Sequence, residues 1–352
     1  MAARRASRLP AFKGGLLALL AAALFGISTP FVQKLGQGLG PFTTAALLYT
    51  GAALVGALLR QPAQQEARML RSDVPRLLAV AFFGAVVGPV AMAWGLQRTS
   101  GAGASLMLTL EALFTAVLAW RLYHETMDRR VWLAMLLLLA GGATLVVEQG
   151  QSGSSQLLGL LAVLAATAAW GLDNTLSRRL AERDPGQVVL AKALLGMLAT
   201  GFIAALVGEP VPGVAVTAGL IVVGATGYGL SLRFYLLAQR EFGAARTGSV
   251  FAFAPFIGAA VAFALGDRSG TWGLAVGSLL MLAGVLVHLA ESHHHEHLHD
   301  ALEHEHAHTH ADGHHDHAHD PMPAGSHSHP HRHTAIRHSH AHVPDSHHGH
   351  RH

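Results

Sequence analysis

Two sets of side chains in this sequence have the means to do chemistry, and their surroundings differ. The first is a handful of ionisable groups inside long apolar runs: Glu111, Asp173 beside Asn174, Lys192 and Arg233. The second is a crowd of histidines near the C-terminus, spaced as His304, His306, His308, His310 and again as His327, His329, His331, His333. An ionised carboxylate at a bilayer centre costs about 2.5–3.5 kcal/mol, so such a residue faces a cavity, pairs with a cation or carries a proton. Glu111 lies midway along its apolar run and stands alone there, which points to substrate or proton binding. The plainer expectation is a protonated, hydrogen-bonded acid. Asp173 and Lys192 flank a short loop at equal distances, so a helical hairpin brings them to one depth as an ion pair. That pair is structural or, with Asn174 widening the polar patch, a gate or coupling pair. Arg233 sits near the end of its run, where a long side chain snorkels to the interface or meets an anionic group of a substrate. Trp94, Trp170, Tyr228 and Tyr235 are candidates to line an apolar or aromatic cavity, although aromatic residues of membrane helices commonly pack or anchor.

The histidines call for different chemistry. Neutral imidazole suits zinc, nickel, cobalt and copper, and Asp312, Asp316 and Asp320 add oxygen ligands. There is no cysteine, so thiolate sites, disulfides and thiol nucleophiles are excluded. The segment lacks the apolar residues needed for a core. It reads as disordered over 291–352, with several exchangeable metal sites and no unique ligand set. No cofactor is required, and nothing in the chain reads as a nucleic-acid surface.

The elements that position the first set are membrane spans. Of 352 residues, 51% are hydrophobic and 13% charged, about half the roughly 25% charged share of soluble domains. About twenty apolar residues cross the hydrocarbon. Such runs recur at Gly14–Leu35, Phe42–Leu59, Val74–Gln97, Gly101–Leu122, Val131–Val147, Leu157–Ser177, Gln187–Val207, Val214–Gln239, Thr247–Leu265 and Gly270–Leu289. The first is longer than the apolar core of a secretory signal and is read as a span. Lysine and arginine crowd residues 1–13 and the loops after the even spans, whereas the other side holds Lys34, Arg98 and Arg268. Positive loops stay inside, so both termini are expected in the cytoplasm of a bacterium, with the spans in its inner membrane.

The chain also matches itself at an offset of 143 to 145 residues. Phe25-Gly26 falls on Trp170-Gly171, Thr109 to Phe114 falls on Ala252 to Ile257, and Leu139 to Gly142 falls on Leu282 to Val285. Five spans per half is an odd number, so the halves 14–148 and 156–290 are inverted in the membrane. Inverted halves can exchange conformations and open a midplane site alternately to each side. The fold class expected is an all-α integral membrane protein of ten helices in two inverted five-helix repeats.

On these residues, and on the small-residue fourth spans ending near Tyr123-His124-Glu125 and Gly266-Asp267, the sequence resembles the drug/metabolite transporter superfamily, EamA type. The resemblance covers Gly14 to Leu289. It implies gradient-coupled movement, usually export, of amino acids, metabolites or toxic organic compounds through a cavity lined by spans 1–4 and 6–9. Two features depart from the pattern. The Glu-Pro usual in span 4 is Glu111-Ala112, and the basic residue usual early in span 2 is replaced by Leu47, Leu48 and Tyr49. Pro255 and Lys192 keep both features in the second half only.

No phosphate loop or nucleophile triad appears, so neither an enzyme nor an ATP-driven pump is expected. The reading is a secondary transporter exporting a small organic solute by alternating access, with a metal-binding tail. The alternatives are a transition-metal carrier for zinc, nickel or cobalt fed by the tail, and a metal-binding membrane sensor that transports nothing. The expected partners are the lipid bilayer, the solute, divalent metals at the tail and, as a further option, a second copy of the chain.

Overall fold

The computed structural model describes residues 8–62, 66–123, 129–242, 244–289, 294–299, 302–308, 327–333 and 336–341. His310, His124, Glu125, Asp312, Asp316 and Asp320 therefore lie outside the described residues. Ten apolar helical segments follow one another. They are α1 (Arg8–Leu35), α2 (Pro41–Leu58), α3 (Arg71–Leu96), α4 (Gly101–Leu122), α5 (Arg129–Ser152), α6 (Ser154–Ser177), α7 (Pro185–Leu206), α8 (Val214–Arg240), α9 (Thr247–Ala264) and α10 (Trp272–Leu289). Among the described residues nine are long and apolar enough to cross a membrane, and α10 is a shorter apolar helix. Their starts follow local chemistry. Pro41 and Pro185 occupy first-turn positions, Ser100 Oγ accepts from Gly103 N at 3.0 Å, and Asp184 accepts from Gly186 N at 2.9 Å. Leu136, Leu198, Phe202 and Leu279 are exposed, as hydrocarbon-facing positions should be.

The two halves interlock. α1 packs on α8 and α9, and in the same way α6 packs on α3 and α4; α2 packs on α7, and α5 on α10. Each of these relations survives exchanging one half for the other, which is the structural signature of the repeat. Small residues permit the central crossings. A Cβ on Gly26 would run into the Ala254 carbonyl, and one on Gly171 would lie 2.7 Å from Phe114 Cβ. Inside a bilayer, where apolar burial against lipid drives little association, such close backbone packing supplies the attraction.

Four helices are not continuous, a departure from the uninterrupted spans read in the sequence. α3 contains a π-helical stretch at Phe82–Val87 and α8 one at Gly224–Leu230, at matching places in the third helix of each half. α4 breaks between Met107, which ends its first segment, and Leu110, which begins its second, and α9 likewise between Phe251 and Ala254. Pro255 accounts for the second break, since it lacks an N–H and sits in the first turn after the gap. The first break has no proline. It is closed by tighter bonds, Thr109 N to Leu106 O at 2.9 Å and Glu111 N to Leu108 O at 3.0 Å.

At the end of the bundle away from the arginines, carboxylates of the second half cap helices of the first. Glu209 accepts from Thr43 N at 2.6 Å, and Asp267 accepts from Ala102 N at 3.0 Å, so each carboxylate closes the start of a helix in the other half. Burial acts on Asp267 to raise its pKa, but hydrogen bonds from the Ser269 side chain and from the Ala102, Ser269 and Gly101 backbone outweigh it and hold the carboxyl below the usual range. At the arginine-rich end Arg240 bonds Glu66 at 2.8 Å, and Arg183 bonds Asp73 at 2.9 Å.

The tail departs from the expected absence of regular structure. His294–His299 pairs antiparallel with Ile336–Ala341, and Leu302–His308 pairs antiparallel with His327–His333. These are β1 (His294–His299), β2 (Leu302–His308), β3 (His327–His333) and β4 (Ile336–Ala341). A strand needs only a period of two and a partner for its backbone groups. The alternation of His with other residues supplies that period without an apolar core.

Candidate functional site

The polar residues of the membrane part converge where α3, α4, α6 and α7 meet. The α6 sequence sets Trp170, Asp173, Asn174 and Ser177 at helical spacing along one face. Ser177 Oγ donates to Asp173 Oδ1 at 3.2 Å. Lys192, in the first half of α7, reaches Asp173 Oδ2 with its Nζ at 2.5 Å. Asp173 is 3% and Lys192 4% exposed, so this is an ion pair inside the bundle rather than at its rim. The hairpin geometry anticipated it.

Glu111 does not stand alone, contrary to the sequence reading. It follows the break in α4, and its Oε1 accepts a hydrogen bond from Asn174 Nδ2. Because Asn174 is the neighbour of Asp173 on α6, the acid of the first half and the lysine of the second belong to one polar cluster. The α4 break re-aims this part of the helix toward α6, and a contact spanning 63 residues of sequence leaves no local trace.

The π-helical stretch of α3 presses against the cluster at Gly84. A Cβ there would come 2.7 Å from Lys192 Nζ and closer still to the Asp173 carboxylate. Only glycine fits. The Gly84 carbonyl accepts from Tyr49 Oη at 2.5 Å and from Trp170 Nε1 at 3.1 Å. A π turn displaces carbonyls from their intrahelical partners, and here side chains of α2 and α6 take one up.

Around Trp170 lies an aromatic group drawn from both halves. Phe25 is 5.5 Å from Trp170 and 5.9 Å from Tyr228, Tyr49 is 5.7 Å from Tyr228, and Phe251 is 5.5 Å from Phe25, all between ring centroids. Tyr235 stacks edge-on against Phe251 at 5.1 Å. Such rings offer a large apolar surface with polar tips, suited to gripping a small organic molecule.

Two expected members are elsewhere. Trp94 lies toward the opposite end of α3, with the Arg98 guanidinium 3.8 Å above its ring and Arg98 Nη1 bonded to its carbonyl at 2.9 Å. Arg233 donates to Leu59 O at 3.1 Å at the end of α2. It belongs with the arginine-rich end, where Arg60, Gln61, Glu66, Arg68 and Asp184 line a cavity of about 390 Å³. Tyr49, Phe25, Phe251, Ser177 and Gly84 escaped the sequence reading as site residues. The available signals were a tyrosine in the middle of an apolar span and the Gly84, Gly88 spacing, which reads equally as packing. The tail histidines within the strands, His304, His306, His308, His327, His329, His331 and His333, are placed by backbone register alone.

Comparison with known proteins agrees with this architecture. The EamA-like transporter family matches residues 12–147 and again 157–290. An uncharacterized transporter of Methanothermobacter thermautotrophicus is 26% identical over 300 residues, covering 78% of this chain and 85% of that protein. A protein known from its crystal structure superposes with a TM-score of 0.59 at 20% identity, over 78% of this chain and 94% of that one, a likeness of fold alone. With two family matches that together take in nearly the whole helical part, the chain belongs to the EamA-like transporter family.

Proposed function

We propose that this transporter exports a small organic solute, of the amino-acid, metabolite or drug-like class, by alternating access across a bacterial inner membrane with both termini in the cytoplasm. One observation carries the reading: a carboxyl group deep in the bundle, Glu111, is tied through Asn174 to the Asp173–Lys192 pair beside an aromatic wall built from both halves. A carboxyl group in such a place carries a proton or pairs with a cation. Glu111 is the group that a proton or a substrate ammonium occupies in turn. Lys192 balances the charge on Asp173 throughout, and Trp170, Tyr49 and Tyr228 hold the apolar part of the solute. The metal-binding tail is an appendage of this machine, requiring no cofactor for transport itself.

The histidines favour a second reading, a carrier of zinc, nickel or cobalt fed by the tail. Growth assays separate the two. Deletion of residues 292–352 and, independently, Glu111→Gln are compared under zinc, nickel or cobalt stress and under amino-acid-analogue stress. Loss of analogue resistance in Glu111→Gln, with resistance kept by the truncated chain, is the expected result. Loss of metal tolerance in both variants overturns the organic-solute reading. A chain that moves no solute into everted vesicles, while its tail still binds metal, is a sensor.

A further inference from the structure

The internal repeat brings the same set of positions together at each end of the bundle. At an offset of 143 residues Glu66 falls on Glu209 and Gln97 on Arg240, and at 144 Leu39-Gly40-Pro41 falls on Arg183-Asp184-Pro185. The contacts correspond as the positions do. Gln97, just past the last turn of α3, donates from Nε2 to Leu39 O at 2.9 Å. Arg240, the last residue of α8, donates to Arg183 O, and from Nε to Ala181 O at 2.6 Å. Each donor thus ties the end of the third helix of its half to the carbonyl two residues before the proline that opens the second. A glutamate from the opposite half completes each set. Glu209 accepts from Phe42 N at 3.3 Å and Thr43 N at 2.6 Å, and the Glu66 carboxylate accepts from Arg240 Nη1 at 2.8 and 2.9 Å.

The two glutamates differ in partner for a local reason. Asp184 caps α7 with its own side chain, accepting from Gly186 N at 2.9 Å. Gly40, in the equivalent place before α2, has no side chain to do so, and a Cβ there would collide with the Glu209 carboxyl. Glu209 therefore reaches across and caps α2. Glu66, with no helix start to cap, pairs with a guanidinium instead.

We propose that these two clamps are the gates of the transport cycle, with Glu66 and Arg240 the gating residues at the arginine-rich end and Glu209 and Gln97 those at the other. The inference rests on the alternating-access reading above and adds which contacts must part. Inverted halves that exchange conformations take equivalent contacts through equivalent changes, so one clamp parts while the other holds. The bonds of Gln97 to Leu39 and of Arg240 to Arg183 lie within a half and travel with it. The glutamate bonds join the halves, and these are the ones that break. Both clamps are made in this structure, with Asp173 and Lys192 buried between them. The gates are unequal: the Glu66–Arg240 pair is charge-assisted on both sides and thus the stronger. Asp184 N to Ala67 O at 2.8 Å and Arg183 to Asp73 at 2.9 Å also join the halves there.

The test reads each end separately. The chain has no cysteine, so a single introduced thiol reports alone. Val80→Cys lies buried beside Leu180 and Ala181, under the arginine-rich clamp, and Ala93→Cys lies buried one turn before Gln97. Purified full-length protein in detergent is reacted with a water-soluble maleimide, in each single-cysteine background, with and without a gate substitution. Glu66→Gln and, independently, Arg240→Gln are expected to speed labelling at position 80 about three- to tenfold and to leave position 93 unchanged. Glu209→Ala is expected to do the reverse. Equal gains at both positions in these variants would mean a loosened bundle and overturn the gates, and so would no gain at either position. Labelling requires no solute, so end-specific gains in a chain that moves no organic solute would leave the gates standing and remove the export reading alone.

Discussion

Lys192 Nζ and Asp173 Oδ2 stand 2.5 Å apart in the interior of the bundle, with Gly84 of α3 so close that any side chain there would displace them. Two opposite charges in a dry place stabilise the fold only as a pair. Removing one leaves the other uncompensated.

Lys192→Met and Asp173→Asn should each therefore destabilise the protein by about 3–5 kcal/mol, whereas the double variant recovers most of that loss, because neither member of the pair is left charged without the other. Thermal unfolding of the purified protein in detergent reads both effects. A double variant as unstable as the singles would mean that the pair contributes through packing rather than charge.

Gly84→Ala adds a single methyl group against the ion pair. Overpacking of this kind costs about 1–3 kcal/mol, and here it falls on the Asp173–Lys192 pair. Gly248→Ala is the natural comparison, since a Cβ at Gly248 meets nothing within 4 Å. The first substitution should lower the unfolding temperature and transport together; the second should leave both unchanged or raise stability slightly.

Glu111→Gln retains an oxygen that accepts the Asn174 bond but cannot exchange a proton. The folded variant is expected to unfold near the wild-type temperature and yet show no uptake into everted vesicles driven by a proton gradient. Wild-type uptake by this variant would remove Glu111 from the transport cycle.

Asp267 makes a pH-dependent contribution with a definite sign. Its carboxyl is held below its unfolded value, so the stabilisation is complete above the ordinary aspartate range and is lost as pH falls through the lowered value. The negative charge also faces the first turn of α4, where the helix dipole favours it. Asp267→Asn should thus be less stable than the wild type at neutral pH, and the difference in unfolding temperature should shrink on acidification below the ordinary aspartate range. A difference that widened on acidification would contradict the assignment.

By itself, the sequence determined the ten apolar segments and their division into two matching halves. These depend on runs of about twenty apolar residues and on an internal match, both of which are properties of short stretches of chain. It also determined the Asp173–Lys192 pair, because a hairpin between adjacent helices places residues at equal distances from its loop side by side. Tertiary structure alone decided the rest of the site. Glu111 met Asn174 because α4 breaks just before it and crosses α6, and Tyr49 met Gly84 because the π stretch of α3 turns a carbonyl toward α2. Trp94 and Arg233, equally polar on paper, were carried to opposite ends of the bundle and held there by Arg98 and by the Leu59 carbonyl. In the tail, alternation was visible as composition, but which histidines oppose one another depends on strand register. Helix crossings and strand pairings are set by contacts between residues far apart in the chain, and such contacts leave no periodic mark on either partner.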